Sequence, residues 1–519
     1  MPATSARPQR PIRQQVQDET GRARTLPCGP GDFAHLCGQG PQAVLLGLGP
    51  QPEKALEAAP GAESYVECPE LAAQYGPDWR AAVPSALREI SPAEVPALAL
   101  SGAKILLYTP GLRAFPSFWG PLLARIQTAL FAAAPAPRPR LAWLPGGERD
   151  LMRVELKEAF EEIGWRAECL GDVTAEDIRA RLAAGECPSL FLSVNFSGLD
   201  PLGKAFHLLS AAGARLAAWC VDNPLHLISG LRSRYWTRLP LFVTDDWFLP
   251  HLARLGAQDV HHLPLAARAS DFSRTMAPDP GLAHDMPHEL DGRLLFAGRS
   301  SFPDKAGFFA GCALPEGHWR EAEAMLTRGE RPDFGWWREK LGIERLWPDK
   351  EVRRAGFCAE ETGKAWRALC LTRAFEALGP DLAVVGDAGW HELLPAGADI
   401  RPPVDYYGSL PGLSAGAACC LNCTSPLLPH GLTQRHFDVW AWGGVLLTDA
   451  TPGLALFPEE LTRPVTFRAP DELPGLFRRI SADGELRRQL RQAWREHVRS
   501  GHTYARRLFR VLESIDLAG

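Results

Sequence analysis

Beyond Arg140 the chain alternates short, nearly continuous apolar runs with segments whose apolar residues recur every three or four positions. The runs Arg140-LAWLP, Trp165-RAECLG, Pro188-SLFLSVNF, Ala214-RLAAWCVD, Leu239-PLFVTDD and Asp259-VHHLPLA predict strands. Between them, Asp150 to Gly164 carries Leu151, Val154, Leu156, Phe160 and Ile163 at helical spacing, and 175–184, 204–212 and 247–255 also predict helices. Strand and helix in alternation mean a parallel sheet covered on both faces. A second series follows. Arg293-LLFAG, Asp381-LAVVGD, Ala415-GAACCLN, Gly444-VLLTD and Val465-TFR predict strands, while 305–378, 436–442 and 485–514 predict helical stretches. Upstream, Gln42-AVLLGLG and Ala103-KILLYTP are two further buried strands.

These patterns divide the chain. Residues 1–24, polar and rich in Arg and Gln, are expected to be a disordered leader, and 25–130 an α/β accessory domain. The Ala/Pro-rich stretch 130–140 is a linker candidate. Residues 138–270 and 290–490 are two doubly wound α/β lobes, joined through an aperiodic connection at 268–290. Ligands of such sheets bind at the carboxyl ends of strands.

Composition narrows the function classes. The 519 residues include 46% hydrophobic and 23% charged residues, which fits packed cores rather than disorder. The net charge of −5 and pI of about 6.3 give no basic field to steer the protein to nucleic acid. The uncharged run 406–434 is long enough for a membrane span, but Pro, Gly, Ser, Asn and Thr break it throughout, so no span is expected. Nothing at the amino terminus matches a secretory signal, and the twelve cysteines show no paired zinc pattern, so the reading is a cytoplasmic protein with reduced thiols. Trp319, Trp336, Trp337 and Trp366 are read as packing residues.

Asn422 to Asp449 (NCTSPLLPHGLTQRHFDVWAWGGVLLTD) is the densest candidate site. A strand ends near Asn422, a polar loop follows, and a helix opens near Gln434. A helix amino terminus suits a phosphate. Arg435 is placed there for a bidentate contact to a diphosphate, and Asp438 for a ribose or sugar diol. Arg435-His-Phe-Asp438 followed by Gly443-Gly-Val-Leu-Leu-Thr-Asp449 resembles the sugar-nucleotide loop of GT-B glycosyltransferases of the group 1 kind, most of all the CgeB-type, spore-maturation branch. The tail, Asp471-ELPGLFRRI then Leu486-RRQLRQAWREHVRSGHTYARR, and residues 214–267 are similar to that branch too. The likeness covers roughly 140–519, is thin within 300–370, and is absent from 1–125.

The resemblance implies a GT-B-like fold with 138–270 as acceptor lobe, 290–490 as nucleotide-sugar lobe, and 491–519 as a helix crossing back to the first lobe. It implies transfer of a hexose-type sugar from a nucleotide diphosphate to a hydroxyl acceptor, with the nucleotide sugar as co-substrate and no metal or other cofactor. The acceptor is a glycan, a lipid-linked glycan or a protein. In retaining relatives two acidic residues are separated by seven others. Asp438 occupies the second position, and counting back eight gives His430 in place of an acid, which leaves retention or inversion open. The donor site so implied comprises Gly431, Thr433, Arg435 and Asp438, with Gly298, Arg299 and Lys305 after the first strand of the second lobe; Arg299 would meet charge on the leaving diphosphate.

The first lobe offers three strand-end loops. Gly146-Gly147-Glu148-Arg149 and Asn195-Phe-Ser-Gly198 are candidate phosphate or acceptor loops. Asp222-Asn-Pro224 with His226 supplies a general base if the reaction inverts; the same tripeptide is also a common turn. Thr244-Asp245 reads better as a helix cap than as a site. Gly47-Leu-Gly49 with Glu67 echoes a dinucleotide fingerprint, but Pro52 stands at the third glycine position, so a degenerate Rossmann-like segment is the better reading than NAD or S-adenosylmethionine binding. Two alternatives to the transferase remain: a sugar-nucleotide epimerase on the same fold, and a nucleotide-sugar-binding protein without turnover.

Overall fold

The computed structural model describes residues 14–147, 150, 152–273 and 290–517. Residues 1–13 of the expected leader, Glu148 and Arg149 of the first strand-end loop, Leu151, and 274–289 of the expected connection lie outside the described residues. The rest of the leader is not disordered. β1 (Gln14–Gln17) pairs antiparallel with β2 (Ala23–Leu26), because Asp18 collects the Thr20 and Arg22 amides and the Arg24 guanidinium and so closes the turn between them.

The architecture is the expected α/β class: two Rossmann-like parallel sheets preceded by a smaller α/β sheet. That first sheet contains β3 (Phe33–Cys37), β4 (Ala43–Leu46), β5 (Ala62–Val66), β6 (Arg88–Glu89) and β7 (Lys104–Tyr108), in the order β3-β7-β4-β5-β6. Its dinucleotide-like loop is filled by the protein itself. Glu67 accepts the Leu48 and Cys68 amides, Trp79 donates to the Gly49 carbonyl, and the Tyr108 ring lies 3.1 Å from where a Gly49 Cβ would stand. An acidic group already satisfied by backbone donors, beneath an aromatic lid, is a packed turn rather than a ribose site.

The second sheet comprises β8 (Arg138–Pro145), β9 (Arg166–Gly171), β10 (Pro188–Val194), β11 (Arg215–Cys220), β12 (Leu241–Val243) and β13 (Val260–His262), ordered β13-β12-β11-β10-β8-β9. The third comprises β14 (Leu294–Ala297), β15 (Leu382–Val385), β16 (Asp399–Arg401), β17 (Cys419–Asn422), β18 (Leu446–Asp449) and β19 (Thr466–Phe467), ordered β16-β15-β14-β17-β18-β19 with every pair parallel. Counted from β14 this is the 3-2-1-4-5-6 order of dinucleotide-binding sheets, and its direction reverses between β14 and β17. β15, β17 and β18 are buried at every residue, which is why they read as continuous apolar runs.

The chain divides into two compact units. The first is Met1–Gly147, Glu168–Leu216 and Gly230–Leu239; the second is Glu148–Ala167, Ala217–Ser229 and Pro240–Gly519. Within the first, Glu19 accepts the Ser117 and Arg234 amides. Within the second, the stretch expected to be one long helical region is four helices: Lys305–Phe308, Glu316–Thr327, Phe334–Lys340 and Val352–Leu378. Gly311 and Pro315, Gly329 and Pro332, and Gly342 and Pro348 separate them, as glycine ends a helix and proline cannot continue one. The expected terminal helix is likewise two, Gly484–Gly501 and Tyr504–Ser514. The break frees backbone groups that pair with Ala267: its amide donates to His502 and its carbonyl accepts from Tyr504. Trp440 stacks on Trp494 at 4.8 Å and Trp337 and Trp366 are fully buried, as packing tryptophans should be. None of the twelve cysteines is in a disulfide, and no described helix is long and apolar enough to cross a membrane.

Helix Val352–Leu378 meets residues 223–229 at Gly356. A Cβ on that glycine would stand 2.0 Å from the His226 ring, which Phe308, Phe309 and Phe334 already surround. Alanine would gain about 1 kcal/mol of helix propensity. Overpacking costs about 1–3 kcal/mol. We therefore expect Gly356→Ala to lower stability by about 1 kcal/mol net, read as a lower urea midpoint at constant m-value.

Candidate functional site

The third sheet's reversal point lies between the loop after β14 and the loop after β17. The first loop is Gly298-Arg299-Ser300. Gly298 donates to the Val385 carbonyl and accepts from Trp390, and Ser300 is fixed by Asp387, which takes both its amide (2.8 Å) and its hydroxyl (2.6 Å). Arg299 is exposed.

The second loop, 423–434, is pinned at both ends. At its start, Asp449 of β18 accepts the Thr424 amide at 2.9 Å, Trp366 Nε1 at 2.8 Å and Arg331 Nη1 at 2.5 Å, while Arg331 Nη2 donates to the Ala450 carbonyl. The aspartate that ends the motif is therefore a buried anchor of the loop. At its end, Thr433 donates through its hydroxyl to Asn422 and through its amide to His436 Nδ1, both at 3.0 Å. Because Nδ1 accepts, the proton of the neutral ring is on Nε2, which donates to Thr448 Oγ1 at 3.0 Å.

That tautomer has a consequence for pH. Burial pulls His436 from its ordinary 6.5 down to about 3. A folded-state value below the unfolded one contributes stability that is present above pH 6.5 and is lost as pH falls, since only the unfolded ring takes up a proton. We expect the melting temperature to fall between pH 7 and 5, and His436→Gln to reduce that slope; an unchanged slope would mean the ring is protonated in the fold.

Arg435 opens the helix Arg435–Ala441 and is half-buried. Its Nη2 lies 3.5 Å from where a Gly298 Cβ would be, so the guanidinium bridges the two loops. It has no hydrogen bond or ion pair with any described residue, and its Nε is buried without a partner. Burial lowers its pKa and the nearby Arg367 charge does the same, against Tyr406, Cys420 and Cys423. Arg367 reaches the same place from helix Val352–Leu378: it donates to the Ser300 carbonyl at 3.1 Å and lies 3.4 Å from Glu360, with its Nε also unpartnered. Two guanidinium groups with open donors beside a glycine loop form a site for an oxyanion. Sequence reading missed Arg367 and Arg331, which sit in helical and loop segments with no motif of their own.

A pocket of about 200 Å³ opens in the second unit beside this loop. Asp222, Glu155, Tyr406, Tyr407, Gly431 and Thr433 are among its lining residues, with Met152, Val221, Leu265, Leu428 and Leu432 as its apolar part. Asp222, expected on the acceptor side, and Gly431 and Thr433, expected on the donor side, line the same pocket.

Other expected residues do not. His226 is no base: it is buried among phenylalanine rings, and desolvation drives its pKa down to about 3. Asp438 does not offer itself to a diol. It is 2% exposed, its oxygens accept Tyr406 Oη at 2.5 Å and Gln434 Nε2 at 2.8 Å, and burial raises its pKa well above the ordinary value. It positions two pocket residues from behind. Lys305 is ion-paired with Glu361 and lies over Phe357. His430 does not line the pocket; its amide donates to Asp245 at 3.0 Å and its Nδ1 bonds Asp246 at 2.7 Å, so it ties the loop to residues 245–246. Asp245 also caps the turn Asp246–Phe248 through the Trp247 amide, the expected capping role, and burial raises it to about 6. Asp245, Asp246 and His430 are a group among the described residues whose ligand atoms all lie within 4.8 Å of one another, close enough to hold a metal ion.

Gly146, Gly147 and Asn195 belong to the first compact unit. They follow β8 and β10, between which the second sheet reverses direction. Gly146 bonds Gly171, and Asn195 and Phe196 hold positive φ of 53° and 63°, a strained pair that for phenylalanine is rare.

Residues 365–513 match a family described as glycosyl transferase-like. No curated protein matches the chain. Among solved structures, T4 phage BGT in complex with UDP and Mn2+ is similar at 10% identity and a TM-score of 0.38, over 72% of this chain and 99% of that one. Anabaena HepE in complex with UDP-glucose is similar at 10% identity and a TM-score of 0.42, with the same coverage of 72% and 99%. The N-terminal domain of Candida albicans trehalose-6-phosphate phosphatase gives 8% and 0.42, over 75% and 98%. Likeness of this degree says nothing about the chemistry.

Proposed function

We propose that the protein is a nucleotide-sugar-dependent glycosyltransferase of the GT-B, CgeB-like kind, moving a hexose-type sugar to a hydroxyl acceptor in the cytoplasm. The observation that carries the reading is Arg435: a half-buried cation with no counter-charge, beside Gly298 and Arg367 at the reversal point of a dinucleotide-type sheet. A buried charge without a partner is costly, and an anionic ligand removes that cost. The family match over 365–513 contains Arg367, Arg435 and the loop between β17 and β18.

In this reading the donor diphosphate lies against Gly298, Arg299, Arg367 and Arg435, and the guanidinium groups meet the charge that grows on the leaving diphosphate, where fixed cations lower the barrier most. The reacting sugar and acceptor meet in the pocket, and Asp222 takes the acceptor proton. No metal is assigned a step.

The test is product analysis with UDP-, GDP- and TDP-hexoses, with and without a polyol or glycan acceptor. Release of nucleoside diphosphate with a mass gain on the acceptor is expected. An epimerised nucleotide sugar formed without acceptor would overturn the reading in favour of an epimerase, and tight binding without turnover would leave a binding protein.

A further inference from the structure

The pocket beside the 423–434 loop is acidic where a diphosphate site must be basic. Its described lining residues include two carboxylates, Asp222 and Glu155, and no lysine, arginine or histidine. The oxyanion of a nucleotide therefore belongs with Arg367 and Arg435, and a different part of the ligand belongs here.

Glu155 is the informative residue. It lies near the start of helix Arg153–Glu162 and is 3% exposed, yet it lines the pocket. Its carboxylate accepts from Tyr407 Oη, at 2.9 and 3.1 Å from its two oxygens, and from its own backbone amide. An ionised carboxylate has about four acceptor positions. Arg268, the nearby cation, is committed to Asp271 through two bonds of 2.7 and 3.1 Å and lies over the Tyr407 ring at 5.0 Å. With the Tyr407 hydroxyl and its own amide as donors among the described residues, Glu155 is a buried acceptor that keeps open capacity facing a cavity. Burial raises its pKa, with its backbone amide, the Tyr407 hydroxyl and the Arg268 charge acting in the other direction. Around it stand two tyrosine rings and the apolar side chains of Met152, Val221, Leu265 and Leu432. Aromatic and apolar walls suit the C–H face of a sugar ring, and a carboxylate suits its hydroxyls. A ring that itself carries a carboxylate would set two negative charges together in a desolvated site, which disfavours binding.

We propose that Glu155 selects for charge: the pocket takes an uncharged hexose ring, bonded through a hydroxyl to Glu155, and rejects uronic acids. The inference rests on the glycosyltransferase reading and names the sugar class of that same site. The ring is either the transferred sugar or the terminal sugar of the acceptor, and the experiment separates the two.

The experiment measures binding of glucose, galactose, glucuronate and galacturonate by ligand-observed NMR, and of UDP-glucose and UDP-glucuronate by calorimetry, to the full chain and to Glu155→Gln. The amide keeps the Tyr407 bond and removes the charge. The wild-type protein should prefer the uncharged ring by about tenfold or more, the factor that about 1.4 kcal/mol gives, and Glu155→Gln should at least halve that ratio, with Asp222 retaining the rest. Tyr407→Phe, which leaves the charge, should weaken both kinds of ring alike and keep the preference. Preference in the UDP-sugar pair assigns the transferred ring; preference among free sugars alone assigns the acceptor ring. Equal binding of glucose and glucuronate by the wild type, or a ratio unmoved in a folded Glu155→Gln, would each overturn the proposal. If UDP binding depends on Arg435 while the ratio ignores Glu155, this inference fails and the transferase reading stands; if no nucleoside diphosphate binds, the transferase reading fails first.

Discussion

Arg435→Ala should weaken binding of the preferred nucleoside diphosphate by about 10- to 100-fold while the free protein keeps its melting temperature or gains a little. The two halves have one cause. Hydrogen bonds to a charged group contribute about 1.5–3 kcal/mol each, and every 1.4 kcal/mol is about tenfold in affinity. In the free protein the same guanidinium is half-buried, makes no hydrogen bond or ion pair with a described residue, and is depressed by burial and by Arg367. Removing it takes away a desolvation cost and no hydrogen bond or ion pair to a described residue. Arg299→Ala, on an exposed side chain, should change affinity only a few-fold because its charge is screened. The measurement is calorimetric titration beside a thermal melt. Unchanged affinity in Arg435→Ala would remove the residue from the site, and a large fall in melting temperature would show that its role is structural.

Arg331→Met should destabilise the protein more than Gly356→Ala does, by about 3–5 kcal/mol, the usual cost of leaving one member of a buried ion pair alone. The Asp449 side chain is 1% exposed and that of Arg331 14%. Trp366 and Thr424 also donate to Asp449, which places the expectation toward the lower end. Against a total of about 5–15 kcal/mol this is a large fraction. The double variant Arg331→Met, Asp449→Leu should recover part of the loss, since replacing both charges removes the unpaired one. Urea unfolding of the two singles and the double gives the coupling directly. A loss below about 1 kcal/mol in Arg331→Met would mean that water reaches the pair and that the motif's terminal aspartate is not an anchor.

Pattern and structure part at particular charged residues. In the motif-bearing segment, sequence reading assigns Asp438 to a sugar diol and Asp449 only to the end of a strand. In the fold Asp449 is a salt-bridged anchor, met by Arg331 from 118 residues away, and Asp438 a buried acceptor for Gln434 one turn before it and for Tyr406, 32 residues away. His226 follows a strand end, a position that suits proton transfer, but three phenylalanines from 308–334 close over it. Glu155 has the sequence setting of an ordinary charged position on an amphipathic helix, and it is buried against Tyr407, 252 residues away. Conversely, Arg435 and the Gly298 loop were legible, since a Gly-ended strand and a loop-helix joint are local features.

What the sequence determined by itself was the local periodicity: parallel strands written as continuous apolar runs, helices written at three- and four-residue spacing, and the breaks where glycine and proline stand. Those features depend on neighbouring residues and on burial of one face, so they survive without knowledge of the fold. Which charges are paired, which are buried and which are left open was decided only by tertiary structure. Desolvation and hydrogen bonding act over a few ångströms in space, and the partners of Asp449, Asp438 and Glu155 lie from a few residues to more than two hundred away along the chain.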